Sequence, residues 1–161
     1  MNSIQMAIHI DAPLDLVATL LQQVQRIPEW QFNVCDVKDI DVRMDHVKAA
    51  YTLVYRCMGR CMHRRMVITQ YNPPEIVEQT AITTLGGRVY FCTHLEPAGN
   101  GTDVHWRIVY HLPGRFFGVA VDRLLFRIMH RRTMRKNIEN LKALAEGKLP
   151  AHEPLRSSQR R

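Results

Sequence analysis

The sequence lacks several features that would place it in a specialised class of protein. Its four cysteines, Cys35, Cys57, Cys61 and Cys92, form no disulfide framework, so we expect reduced thiols in a cytoplasmic protein. No run of about eighteen apolar residues occurs, which argues against a membrane-spanning helix. Residues 1–5 lack the basic and then apolar pattern of a signal peptide. The hydrophobic content of 46% in 161 residues predicts one globular domain with a substantial core.

Motifs for catalysis, cofactors and metals are missing as well. The sequence contains no nucleophile elbow, phosphate loop or dinucleotide fingerprint, and we predict no cofactor. The segment from Cys57 to His63 has two cysteines and a histidine, but the spacing is not that of a zinc site and no second pair exists. In a hairpin these cysteines would lie nearly opposite each other as small strand residues. We therefore predict no metal site.

Positive charge is concentrated near the C-terminus. The net charge is +7, yet residues 1–114 carry −1, residues 115–147 carry +5 and residues 148–161 carry +3. A basic helix and tail of this kind can be a solvated outer face, or can attract an anionic membrane surface or nucleic acid. No aromatic residue is interleaved between Phe126 and Lys136, which makes nucleic acid the less favoured partner.

The first third of the chain predicts a strand followed by two helices. Ile4, Met6, Ile8 and Ile10 alternate with more polar residues, which is typical of a half-buried strand. Pro13 suits the first turn of a helix over the residues that follow. A second, short helix is expected at 27–30, where the sequence is Ile-Pro-Glu-Trp.

Six further strands are predicted, at 33–42, 47–57, 60–71, 75–84, 88–96 and 102–112, and Gly- or Pro-containing turns separate the last five of them. The last has the clearest alternation, with Val104, Trp106, Ile108, Tyr110 and Leu112 on one face. Strands joined by tight turns predict an antiparallel sheet with one face buried.

After Pro113 no proline occurs until Pro150, and apolar residues recur at mostly three- or four-residue spacing as far as Ala145. This periodicity predicts one long amphipathic helix. Beyond Lys148 the periodicity ends, so we expect a domain at 1–147 and a basic, disordered tail at 148–161.

Several segments, in this order, are similar to the START/SRPBCC superfamily. Those that resemble its motifs are Ile8–Pro13, Ile27–Trp30, Asn72–Pro74, Gly99–Val104, Tyr110–Gly114 and Asn140–Glu146. The resemblance covers about residues 3–147. It implies an α+β helix-grip fold, in which a seven-stranded antiparallel sheet wraps around the long C-terminal helix. Closest in character are the polyketide cyclase/dehydrase-like and coenzyme-Q-binding-like branches, which include enzymes as well as binding proteins.

The resemblance also implies a cavity for apolar ligands between the sheet and the helix; a filled core would use the same residue types. The candidate ligand-binding residues are Trp30, Tyr51, Tyr55, Phe91, Val104, Trp106, Ile108, Tyr110, Phe117, Val121, Leu124, Leu125 and Ile128.

Adjacent arginines in the strand at 60–71 are the candidates for chemistry. Because side chains alternate along a strand, one of Arg64 and Arg65 points inward, whichever face is buried. A buried guanidinium needs a partner or a ligand, whereas one at the rim reaches water. Polyketide aromatase/cyclases would have a cavity arginine at the position of Tyr71, and its absence there weakens a cyclase assignment.

Three functions therefore stay open. The first is binding or carriage of a quinone, lipid or polyketide-like molecule. The second is a cyclase or dehydratase, with Arg64 or Arg65 stabilising an enolate and Tyr51, Tyr55 or Tyr71 donating a proton. The third is an interaction module whose basic helix and tail contact a membrane or RNA surface.

Overall fold

The computed structural model describes residues 2–41, 50–57, 59–72, 76–82, 88–111 and 119–148. The chain begins with β1 (Asn2–Ile10), α1 (Leu14–Gln22), a 3-10 turn (Val24–Arg26) and α2 (Ile27–Trp30). It continues with β2 (Val34–Asp41), β3 (Ala50–Cys57), β4 (Arg60–Asn72), β5 (Ile76–Ile82), β6 (Arg88–Ala98) and β7 (Gly101–His111), and ends with α3 (Val119–Ala145). The predicted α+β fold, with an antiparallel sheet and a C-terminal helix, is confirmed.

The strands pair in the order β1-β7-β6-β5-β4-β3-β2, and every pair is antiparallel. The turn between β6 and β7 requires glycine at two positions. Gly99 has a positive φ of 59°, and a Cβ on Gly101 would lie 2.5 Å from the carbonyl oxygen of Ile10. Gly101 therefore lets the start of β7 approach the end of β1 closely.

One face of the sheet, here called the inner face, holds most of the core. The strand register continues this face from β4 to β7. Met66 pairs with Ala81, Ala81 pairs with Val89, and Val89 pairs with Tyr110. Its buried members include Ile4, Ile10, Tyr51, Leu53, Met66, Ile68, Val89, Leu95, Val104, Ile108 and Tyr110. Side chains on the opposite, outer face are largely half-buried or exposed.

The C-terminal half of α3 packs against the core, chiefly on β1, α1 and α2. Met134, Ile138, Leu141 and Ala145 are buried and recur every three or four residues. Ile128, a predicted ligand-binding residue, is 45% exposed. It lies six residues before Met134, which is about 120° away around the helix, so it faces solvent.

Polar contacts fix both ends of this packed segment. The Asn137 side chain accepts a hydrogen bond from the backbone N–H of Phe32 at 3.1 Å, and the Asn140 side chain donates to the Trp30 carbonyl at 3.1 Å. The Glu146 carboxylate accepts from Lys142 at 2.8 Å and from the backbone N–H of Asp11 at 3.0 Å. The Lys142 and Lys148 ammonium groups lower the pKa of Glu146 to about 2. These contacts join α3 to the start of the chain.

None of the helices among the described residues is long and apolar enough to cross a membrane. The predicted tail from residue 149 onward lies outside the described residues, as do residues 112–118 with the predicted start of the long helical stretch.

Candidate functional site

The candidate site lies between the inner face and α3, where polar and aromatic side chains meet apolar surroundings. Two clusters define it. The first, the arginine cluster, consists of Tyr55, Arg64 and His130. The second, the tryptophan pair, consists of Trp30 and Trp106.

The hairpin of β3 and β4 positions the first two members of the arginine cluster. Arg64 pairs with Leu53, and Met62 pairs with Tyr55, so all four side chains share the inner face. The Arg64 guanidinium lies 4.6 Å from the centre of the Tyr55 ring and donates to its hydroxyl at 3.3 Å. A cation over an aromatic face is stabilised by the ring quadrupole. Arg64 is therefore the arginine that points inward.

His130 of α3 completes the arginine cluster from the helix side. Burial and, as the smaller cause, the positive charge of Arg64 together lower its pKa to about 4. His130 is therefore neutral at neutral pH and can accept a proton or a hydrogen bond. The cluster thus combines one fixed cation, a phenol and a neutral imidazole.

The tryptophan pair lies toward the opposite end of the inner face. Trp106 follows Val104 in the inner row of β7, and Trp30 ends α2. The two ring centroids are 5.5 Å apart and the ring planes are inclined by 45°. Such a tilted arrangement is favourable for two aromatic rings. The pair forms an aromatic wall between α2 and the sheet.

The structure brings together many of the predicted ligand-binding residues. Trp30, Tyr51, Val104, Ile108 and Tyr110 are buried, and Tyr55, Phe91 and Trp106 are partly buried against the same core. The exposed Ile128 is not part of this group. Phe117 and the side chains of Val121, Leu124, Leu125 and Tyr71 lie outside what the structure describes.

His130 is the member of the site that sequence reasoning missed. Its neighbours in the charged middle of α3, Arg131 and Arg132, are exposed. A signal for His130 was present, because it lies four residues before the buried Met134 and eight before the buried Ile138. Counting back from the packed end of the helix would have found it.

The outer face differs in its chemistry. Arg65 is exposed there and donates to the Asp39 carbonyl at 3.1 Å and to the Thr52 hydroxyl at 3.4 Å. His9 lies 2.7 Å from Asp103, and His94 lies 2.8 Å from Glu96. On the outer face, therefore, Arg65 and these histidines pair with oxygen atoms close to water.

A concavity of about 410 Å³ also occupies the outer side, over β1, β6 and β7. Its lining comprises Gln5, Met6, Ala7, Cys92, His94, His105, Trp106 and Arg107. Six of these side chains alternate away from the inner face, whereas Met6 and Trp106 belong to its rows, so this concavity opens on the outer face and adjoins Trp106 of the tryptophan pair. Within the part of the chain that is described, no group of three or more His, Cys, Asp or Glu side chains could hold a metal ion.

Comparison with known proteins agrees with this architecture. The family model described as "Polyketide cyclase / dehydrase and lipid transport" matches residues 1–146. A search of curated protein sequences found no significant match.

Among solved structures, this chain is similar to one half of the di-domain ARO/CYC StfQ from the steffimycin biosynthetic pathway. That match has a TM-score of 0.77 and 16% identity, and covers 91% of this chain and 51% of the other. A START superfamily protein from Mycobacterium smegmatis matches with a TM-score of 0.74 and 11% identity, over 90% of this chain and 97% of that one. Major latex-like protein 151 from Panax ginseng matches with a TM-score of 0.70 and 12% identity, over 89% and 97%. At these identities the structural likeness concerns the fold.

Proposed function

Because the chain belongs to the polyketide cyclase/dehydrase and lipid transport family, confirming the START/SRPBCC resemblance, we propose that it binds and carries an apolar small molecule between the inner face and α3. The candidate ligands are the ones that the sequence predicts, namely a quinone, a lipid or a polyketide-like molecule. The observation that supports this most is the arginine cluster, a charged group placed on a largely apolar inner face.

The arginine cluster supports a ligand with one polar end. Removing a guanidinium from water is unfavourable unless it meets a partner. The described partners of Arg64 are the Tyr55 hydroxyl, which accepts its hydrogen bond, and the neighbouring His130, which is neutral at neutral pH. A carboxylate, carbonyl or phenol oxygen of the ligand would add a charge-assisted hydrogen bond there. The apolar body would then lie along the inner face.

Native mass spectrometry of the purified protein, after incubation with a lipid and quinone extract, tests this proposal. We expect one apolar molecule per chain. The variant Thr93→Phe fills space on the inner face beside Trp106, and should reduce the occupied fraction. Its matched control is His94→Phe, one residue along on the outer face, which should retain binding. A protein that stays unoccupied with every extract contradicts the proposal.

A second candidate function is cyclisation and dehydration of a polyketide-like substrate, supported by the composition of the arginine cluster. Neutral His130 could remove the proton α to a carbonyl, while Arg64 stabilises the resulting enolate oxygen and Tyr55 supplies a proton. The enolate carbon would bond to a ketone carbon, and the aldol would then lose water. A synthetic β-polyketone thioester incubated with the protein tests this activity. A cyclised product lighter by one water supports it, and a rate equal to that without protein excludes it.

We also propose that the exposed basic side of α3 contacts an anionic membrane. This basic arc consists of Arg127, Arg131, Arg132, Arg135 and Lys136, which are all exposed. The exposed Ile128 lies within the arc, and Lys136 lies 4.1 Å from the ring centre of exposed Phe32. Cations around apolar side chains suit the interface of an anionic bilayer.

A further inference from the structure

The two indole N–H groups of the tryptophan pair are buried without an acceptor among the described residues. Trp30 is 4% exposed, and the Nε1 atoms of both Trp30 and Trp106 are shielded from solvent. More than nine in ten buried polar groups in folded proteins have a hydrogen-bond partner. Two unpaired donors in one aromatic contact therefore require an explanation.

Backbone contacts hold both tryptophan residues in place. The Trp30 carbonyl accepts a hydrogen bond from the Asn140 side chain at 3.1 Å, which fixes the end of α2 to α3. Trp106 lies within β7 and pairs with Met6 on one side and Thr93 on the other. The donors are thus fixed on the inner side of the molecule by the fold itself.

The chemistry of the indole limits what can satisfy these donors. An indole N–H donates and does not accept, so its partner has to be an acceptor oxygen or nitrogen. The nearest inner-face neighbours along β7, Val104 and Ile108, are buried and apolar. No acceptor among the described residues reaches the two indole nitrogens, which leaves them available to an acceptor carried by a bound molecule.

We propose that Trp30 and Trp106 form a hydrogen-bond donor site for a carbonyl or ether oxygen of the bound molecule. The inference rests on the proposed function and specifies the chemistry of the ligand, since a pure hydrocarbon would leave both donors unpaired. The site is distinct from the arginine cluster. His130 beside Arg64 and Asn140 beside Trp30 are ten residues apart on α3, which corresponds to about 15 Å. A ligand that reaches both clusters is elongated and carries acceptor oxygens toward both ends.

Because the chain has two tryptophans, the test can observe each donor directly. In 15N-labelled protein the two indole N–H resonances are assigned with the variants Trp30→Phe and Trp106→Phe. The probes are 2-acetonaphthone and 2-isopropenylnaphthalene, which have nearly the same shape but differ in the carbonyl oxygen. We expect the ketone to move at least one indole proton downfield further than the hydrocarbon does. We also expect it to bind about threefold to tenfold more tightly, as one hydrogen bond would give.

The tryptophan variants test the role of each N–H group, because phenylalanine keeps an aromatic ring and removes the N–H. The preference for the ketone should fall in at least one variant. The comparison of probes in the unsubstituted protein stands even if a variant fails to fold. If both probes bind with equal affinity and shift the indole protons alike, the proposal of a donor site is wrong, whereas the proposed carriage of apolar molecules is still supported. A nuclear Overhauser effect from both indole protons to water, without ketone preference, also overturns it. If neither probe binds, the proposed function fails for this ligand class and the donor site fails with it.

Discussion

The inner and outer sides of this protein carry the same residue types in different surroundings. Arg64 faces inward over the Tyr55 ring, whereas its neighbour Arg65 faces outward and hydrogen-bonds the Asp39 carbonyl. On α3, Leu141 is 0% exposed and Ile128 is 45% exposed.

The histidines show the same division. His130 on the inner side loses its proton at a much lower pH than an ordinary histidine, because burial and a nearby cation disfavour its charge. His94 on the outer side lies beside the Glu96 carboxylate. Residue type alone therefore does not identify a functional group, because the chemistry of a side chain depends on whether it lies on the inner or the outer side of the sheet. The predictions below compare matched residues across the two sides.

The largest difference concerns stability. We expect Leu141→Ala to lower the free energy of unfolding by about 2–5 kcal/mol, since it removes buried methyl groups and leaves a cavity. The matched change Ile128→Ala should cost less than about 1 kcal/mol, because that side chain is already partly in water. Urea unfolding followed by circular dichroism measures both values. Equal losses would show that the outward position of Ile128 is wrong.

The next prediction concerns pH. The unfolded chain protonates His130 near its ordinary pKa of 6.5, and the folded chain does so at about 4. Between these values the unfolded state binds more protons, so acidification from pH 6.5 toward 4 lowers stability. The expected loss at His130 is about 2–3 kcal/mol.

His130→Gln provides the control, because glutamine does not titrate. The pH dependence of unfolding should be shallower in this variant than in the unsubstituted protein over that interval. Parallel curves would mean that His130 is solvated and that the arginine cluster is not assembled as described.

A smaller effect is expected on ligand affinity. In Arg64→Met, binding of the fluorescent fatty acid 11-(dansylamino)undecanoic acid should weaken about tenfold or more, as for loss of a hydrogen bond to a charged group. Arg65→Met makes the same change one residue away on the outer side, and should alter affinity less than about twofold. Fluorescence titration measures both. Similar effects from the two variants would exclude a specific role of Arg64.

The smallest effect concerns the basic arc. Arg131→Gln should weaken binding to phosphatidylserine-containing vesicles about fivefold at low salt, which corresponds to about 1 kcal/mol for one cation near the surface. The control Arg60→Gln removes an exposed arginine from β4. Vesicle sedimentation compares them. Equal weakening by the two substitutions would indicate that net charge alone attracts the protein to the vesicles. If RNA displaces the protein from the vesicles at a lower concentration than free vesicles do, nucleic acid is the favoured partner instead.

Local patterns in the sequence were sufficient for much of the fold. The alternation from Val104 to Tyr110 predicted β7, and the Ile-Pro-Glu-Trp segment predicted α2. The inward direction of Arg64 could not be predicted, because both faces of β4 carry apolar residues and the choice depends on its register with β3. That register places Met66 beside buried Tyr51 and so turns Arg64 inward.

The two inner clusters also depend on contacts distant in sequence. Nothing near His130 in the chain indicates Arg64, which is 66 residues earlier. The contact between Trp30 and Trp106 likewise joins α2 to β7. Such pairs arise from the way α2 and α3 pack on the sheet, which periodicity predicts only in outline.

The location of a bound molecule tests the central claim most directly. Intermolecular nuclear Overhauser effects from 2-acetonaphthone can be measured to the methyl groups of Val104 and Ile108 on the inner face, and to the ring protons of His94 and His105 on the outer face. We predict contacts to the inner methyl groups. Contacts confined to the two histidines would place the ligand in the outer concavity and contradict the account.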